Sequence, residues 1–411
     1  MKTVGLVVEY NPLHNGHHYH FQQSKIESGA DAVIAIMSGN FLQRGEPAMV
    51  NKWARAEMAL RMGVDLVLEL PVAYSTQPAE WFAFGAVSAL DSTGVVDSLC
   101  FGSESGDIRW LHRVANAQFE ESIQFHELLQ SELKAGIPYP AAYGKAVARY
   151  VPGTDEIDLA KPNNTLGLHY LIALKRLHSR IVPLTITRQK AEYNQTDITD
   201  QQIASATALR HMLFEQQSLE DIAPFVPTST LEVLRREWSK GHAPIGWEHY
   251  AKPLLLQLMN HSAGELAQYH EVTEGLEHRI KQSLSSLTTN TQHTVEDLIG
   301  LLKTKRYTRT KLQRMLLRIL LNHSKPKLSA DVLGHGVPYL RVLGFSDKGR
   351  ELLRIMKKTA RVPIVTKVTS LSEPSPMLDL DIQATSVYSL AYPSASERDL
   401  FRDYYEPPVQ I

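Results

Sequence analysis

Two histidines bracket an asparagine and a glycine in Pro12-Leu13-His14-Asn15-Gly16-His17, between an apolar run and a helical pattern. Imidazole N–H groups can donate to phosphate oxygens and stabilise charge that builds there during transfer. Gly16 has no Cβ, so the backbone can come close to a ligand. The helix start that follows offers unpaired N–H groups and a partial positive charge, which also attract an anion. The same residues, with His18 and His20, also suit a solvated surface or a metal ion. Metal is the weaker alternative, because no matching Cys/His or carboxylate cluster recurs nearby. Position favours phosphate: a strand-to-helix loop in an open α/β sheet lies at the carboxyl edge, where ligands bind.

The elements that must hold this loop follow from hydrophobic pattern. Val4–Val8, Ala32–Met37, Leu66–Leu70 and Ser98–Gly102 are short apolar runs that read as strands buried on both faces. Helical stretches over 16–28, 47–62 and 81–90 alternate with them. This βαβα rhythm predicts a doubly wound, Rossmann-like α/β fold with a parallel sheet. Residues 108–180 look mainly helical, and 181–188 reads as a further strand, with Pro183 placing it at an edge or a bulge. Long amphipathic patterns dominate after about residue 215. Two more strands are expected at 341–345 and 362–368, flanking a helix over 347–358. The predicted organisation is a catalytic domain over 1–220 and a mainly helical region over 221–411.

Composition bounds the partners. The 411 residues carry 43 Lys+Arg and 44 Asp+Glu, a formal net charge of -1, so any nucleic-acid surface must be local. A single cysteine, Cys100, rules out a disulfide framework within one chain. No apolar run reaches the roughly 18 residues of a membrane span, so no membrane partner is expected. An acid at Glu9 comes too soon for a signal-peptide core, and a cytoplasmic location is the default.

The histidine loop resembles the HxGH signature of the nucleotidyltransferase superfamily. Members carry a later motif of the form ISSTxxR, and Ala204-Ser205-Ala206-Thr207-Ala208-Leu209-Arg210 is similar to it. Ala204 and Ala206 depart from that pattern, and the second departure removes a hydroxyl; Thr207 and Arg210 still suit a triphosphate. Four further blocks occur in order: Val7 to Pro12, Ser38 to Pro47, Phe101 to Glu104 and Lys161 to Gly167. Together they resemble the bacterial tRNA(Met) cytidine acetate ligase family. The resemblance implies that ATP and acetate form acetyl-adenylate, and that the wobble cytidine of elongator tRNA(Met) becomes N4-acetylcytidine. It also implies ATP contacts from Val7, Val8, Glu9, Tyr10, Asn11, Pro12, Leu13, His14, Asn15, Gly16, His17, His18, Tyr19 and His20. Gly102, the pair Asn163 and Asn164, and Arg188 extend that set, with Mg²⁺ as a companion of the triphosphate. His14 and His17 are the expected catalytic pair.

Asn40, Gln43 and Arg44, in the polar loop after the second strand, are candidates for the acetate or cytidine end. Lys52, in the helix beyond, reads as a solvated charge. A basic run of Lys303, Lys305, Arg306, Arg309, Lys311, Arg314 and Arg318 contains no acid between residues 298 and 330. On an amphipathic helix such a run can track RNA phosphates, and Tyr307 can stack on an exposed base. Two other functions remain open on the sequence alone: a small-molecule adenylyl- or cytidylyltransferase, and a nucleotide-regulated RNA-binding protein.

Overall fold

The computed structural model describes residues 1–104, 106–119, 123–135, 139–150, 161–187, 204–216, 218–287, 294–371 and 373–411. Strands β1 (Thr3–Val8), β2 (Ala32–Ser38), β3 (Leu66–Leu70), β4 (Ser98–Ser103) and β5 (Val182–Thr187) are mutually parallel. Their spatial order is β5-β4-β1-β2-β3, so the order reverses between β1 and β4. In a doubly wound sheet the crevice for ligands opens at that switch point.

Alternation along the strands feeds two cores. Ile34, Ile36, Leu66 and Leu68 face helices Ala79–Thr93 and Pro162–Arg176. Val33, Ala35, Met37 and Val67 face helices Asn15–Ser28 and Lys52–Met62. Period-two side-chain alternation is what lets one strand serve both layers. Among the described residues β5 pairs only with β4, an edge position and one of the two readings that Pro183 allowed.

Two boundaries differ from expectation. Residues 47–51 are not helical; the helix begins at Lys52, where Asn51 Oδ1 accepts the N–H of Ala54 and caps it. Asn fits that role better than an upstream proline, because its side chain satisfies an otherwise unpaired donor. The other difference concerns the division near residue 220. Strands β6 (Leu340–Phe345), β7 (Ile364–Val365) and β8 (Val409–Gln410) extend the same sheet, with β6 antiparallel to β3 and both β7 and β8 beside β6. The expected strand–helix–strand pattern forms around helix Asp347–Thr359, with its second strand cut to Ile364–Val365 instead of 362–368, but it completes the N-terminal sheet.

The two halves also share buried charge. Lys52 is fully buried, with Nζ 2.9 Å from Glu69 Oε2 and 3.0 Å from Asp403 Oδ1. Burial opposes the ammonium, but Asp403 and Glu69 hold its pKa above the ordinary lysine value. Arg341 lies 3.4 Å from the same Asp403 carboxylate. The solvated reading of Lys52 is therefore corrected, since two carboxylates compensate it inside the protein.

Among the described residues no helix is long and apolar enough to cross a membrane.

Candidate active site

His14 is the N-cap of helix Asn15–Ser28, and the two histidines form a reciprocal cap. Gly16 donates its N–H to His14 Nδ1 at 3.1 Å, and His14 donates its N–H to His17 Nδ1 at 3.3 Å. Because each Nδ1 accepts a backbone donor, the hydrogen of each neutral ring sits on Nε2. The ring centroids are 3.8 Å apart, and Tyr10 meets His17 edge-on at 5.1 Å. Tyr10 itself is buried and holds a left-handed φ of 50°. That conformation is uncommon for a bulky residue and concentrates strain in this turn.

Below the loop, Arg55 is fully buried and collects strand-end carbonyls. Its guanidinium donates to Glu9 O at 2.7 Å, to Ser38 O and Val50 O at 3.0 Å each, and to Gly39 O. It thereby ties the ends of β1 and β2 to the following loop, while burial lowers its pKa to about 10.

His14, Gly16 and His17 open into a cavity at the switch point, together with Tyr19, His20 and the stretch Val7 to Asn11. Phe101 and Gly102, at the end of β4, and Thr187, at the end of β5, line it from the other side. Ser205, Ala206, Thr207 and Arg210 bring a second helix start to the same space. Arg210 donates to Asn11 O at 2.9 Å and lies 3.7 Å from Glu46. Ser205 Oγ accepts the N–H of Ala208 at 3.0 Å and caps this helix. Two helix starts, two imidazoles and a guanidinium thus face one cavity, a strong attraction for a polyanion. Its apolar wall is Phe82, Phe101, Leu166, Tyr170 and Ile186, which suits a flat ring.

Gln43 and Arg44 also line the cavity. Glu9 Oε1 accepts the Gln43 N–H at 2.9 Å. Burial raises the Glu9 pKa, against that hydrogen bond and the charges of Arg210 and Arg44. Asn11 Oδ1 accepts the Met49 N–H at 2.7 Å, while its buried Nδ2 has no partner among the described residues.

Several expected contacts lie off the cavity wall. Leu13 is wholly in the core, and Pro12 is buried beside it. Asn15 donates to Pro224 O at 3.0 Å, and His18 meets Gln22 on the helix surface. The expectation for Asn40 is corrected: it is buried, accepts the Lys52 N–H at 2.8 Å and donates to Thr385 Oγ1 at 3.3 Å. Asn163 lines the cavity, whereas Asn164 is buried behind it. Glu104 organises this pair, accepting Asn163 Nδ2 at 2.6 Å and the Asn164 N–H at 2.8 Å. Arg188 lies outside the described residues. Leu42, Glu46 and Leu166 fall inside the Ser38–Pro47 and Lys161–Gly167 blocks but were not singled out as site residues, and Phe82 and Tyr170, which also line the cavity, carry no local motif.

The basic run is largely neutralised in space. Arg306 pairs with Glu274 at 3.0 Å, Arg309 with Glu296, and Arg314 with Glu271 at 2.9 Å. Lys311 lies 3.9 Å from Glu274. Arg318 is fully buried and donates to Thr76 Oγ1 and Thr76 O at 2.6 Å each, so its assignment to RNA is corrected. Tyr307 is buried too, its hydroxyl donating to Glu274 O at 3.2 Å, and cannot present its ring to a base. Lys303 and Lys305 stay exposed, without an acidic partner among the described residues.

These features define a nucleotidyltransferase, and the HIGH Nucleotidyl Transferase family model matches residues 1–403. Relatives named tRNA(Met) cytidine acetate ligase, from Thermoanaerobacter sp. (strain X514) and Bacillus subtilis (strain 168), are each 41% identical. The first match covers 100% of both chains, and the second covers 100% of this chain and 97% of the relative. The chain belongs to the tRNA(Met) cytidine acetate ligase family. Thermotoga maritima TmcAL in its apo form I has the same fold, with a TM-score of 0.92 and 38% identity. The form bound with alpha-thio ATP gives 0.90 and 36%, and each match covers 100% of both chains.

Proposed function

We propose that this chain activates acetate with ATP and passes the acetyl group to the wobble cytidine of elongator tRNA(Met). One observation carries the reading: both helix starts, both imidazoles and Arg210 converge on a cavity with an aromatic wall. In the first step an acetate oxygen attacks the α-phosphorus, the bond to the bridging oxygen breaks, and pyrophosphate leaves. Acetate is already ionised at neutral pH, so this step needs no base. Catalysis is then positioning and electrostatics, with the imidazole Nε2–H groups and Arg210 donating to phosphate oxygens. In the second step the cytidine N4 attacks the acetyl carbon, AMP departs with the bonding electrons, and N4 loses a proton.

Thr207 and Gly102 belong to the ATP side of this reading, and Gln43 and Arg44 to the acetate or cytidine side. Among the described residues no trio of His, Cys, Asp or Glu is grouped to hold a metal. Mg²⁺ is proposed as a companion of the triphosphate, where it would neutralise the leaving group, with Glu9 as a carboxylate on the cavity wall. Exposed Lys303, Lys305, Arg306 and Arg309 in the C-terminal half remain the proposed phosphate contacts for tRNA. A cytoplasmic location accords with that substrate.

The test is acetate-dependent ATP–pyrophosphate exchange, followed by nucleoside mass spectrometry of tRNA(Met) after incubation with ATP and labelled acetate. Labelled N4-acetylcytidine is expected. Exchange that ignores acetate, or label that never reaches the nucleoside, would sink the proposal.

A further inference from the structure

Glu46 belongs to the loop that lines the cavity, yet what holds it comes from the far end of the chain. The loop closes tightly: Gly45 donates its N–H to Leu42 O at 2.8 Å, and Leu42 donates to Glu46 O at 2.9 Å. Gly45 has a φ of 76°, and a Cβ there would collide with the backbone N of Arg314. Position 45 is thereby reserved for glycine twice over, by conformation and by the close seat of the loop on helix Arg309–Leu320.

That same helix supplies a buried donor. Gln313, only 2% exposed, donates Nε2–H to Glu46 Oε1 at 3.1 Å. The other Glu46 oxygen faces the Arg210 guanidinium at 3.7 Å. Arg210 is otherwise held by Asn11 O and, loosely, by Thr207 Oγ1 at 3.4 Å. Without Glu46 its Nη2 would keep only the long contact with Thr207 Oγ1. A guanidinium binds phosphate best when its plane is set beforehand, because less freedom is lost on binding.

We propose that Glu46 is a positioning residue for Arg210 at the nucleotide phosphates, and that Gln313 sets Glu46. The C-terminal helix would then be part of the ATP site as well as a neighbour of the proposed RNA surface. This rests on the proposed function in taking Arg210 as a phosphate ligand.

The test is a double-mutant cycle in the full chain, with α,β-methylene ATP binding read by calorimetry. Gln313→Ala should weaken binding about three- to tenfold, less than the full worth of a hydrogen bond to a charged partner, because Gln313 reaches the phosphates only through Glu46 and Arg210. In an Arg210→Ala background the same change should have almost no effect, because the residue through which it acts is gone. In exchange assays Gln313→Ala should raise KM for ATP more than it lowers kcat. If Gln313→Ala does not fold, Gln313→Glu takes its place, setting a second carboxylate against Glu46. Unchanged affinity, or an equal loss with and without Arg210, would overturn the proposal. Calorimetry needs no acetate, so failure of acetate-dependent exchange in the wild type would count against the functional reading alone.

Discussion

Substituting His14 by asparagine separates capping from the phosphate contact proposed for its ring. As N-cap, His14 accepts the Gly16 N–H at 3.1 Å. Asparagine ranks with the best residues at that position, so His14→Asn should hold stability within about 0.5 kcal/mol, whereas His14→Ala should lose about 1 kcal/mol. Neither variant carries the Nε2–H that the capping geometry turns outward. Removing one such donor from a charge-stabilising site costs about 100- to 1000-fold in turnover, or about 2.7–4 kcal/mol. The paired ring of His17 sits 3.8 Å away and is proposed to serve the same phosphates, so the double variant should lose less than the product of the single losses. Thermal melts and acetate-dependent exchange measure the two effects independently. A His14→Asn protein that melts normally and exchanges at the wild-type rate would refute the assignment, since the imidazole would then be only a cap.

Two more outcomes are expected. Asp403→Ala leaves the buried ammonium of Lys52 and the guanidinium of Arg341 with Glu69 as their main counter-charge, and should cost about 3–5 kcal/mol in chemical denaturation. A loss below about 1 kcal/mol would mean that water reaches this cluster. Reversing the charge of Lys303, Lys305 and Arg306 should weaken tRNA binding and flatten its salt dependence by about 0.9 for each phosphate left without its cation, while exchange without tRNA continues. Filter binding over a salt series checks this, and an unaltered slope would move the RNA surface elsewhere.

What could be read in advance is what local pattern encodes. Apolar runs between turn residues marked β1 to β5, and Pro183 narrowed β5 to an edge or a bulge, because both signals act within a few residues of their cause. The histidine loop was legible for the same reason: strand, glycine and helix start are adjacent in the chain. Charge partners were not. The basic run looked unopposed because Glu271, Glu274 and Glu296 lie outside it, and folding brings them back. Lys52 looked solvated because its partner Asp403 is 351 residues away. β6 showed its apolar pattern, but nothing in that pattern states which strand it will join or in which direction.

The pairing of β3 with β6 has a consequence for how such a chain comes into being. A ribosome finishes β3 long before β6 emerges, and every residue of β3 is buried in the final fold. In the interval an apolar strand waits with one row of backbone donors and acceptors open, a ready template for any passing nascent chain. The late strand is thus a guard as well as a neighbour, and a fragment cut before it would be expected to clump even with its histidine loop intact.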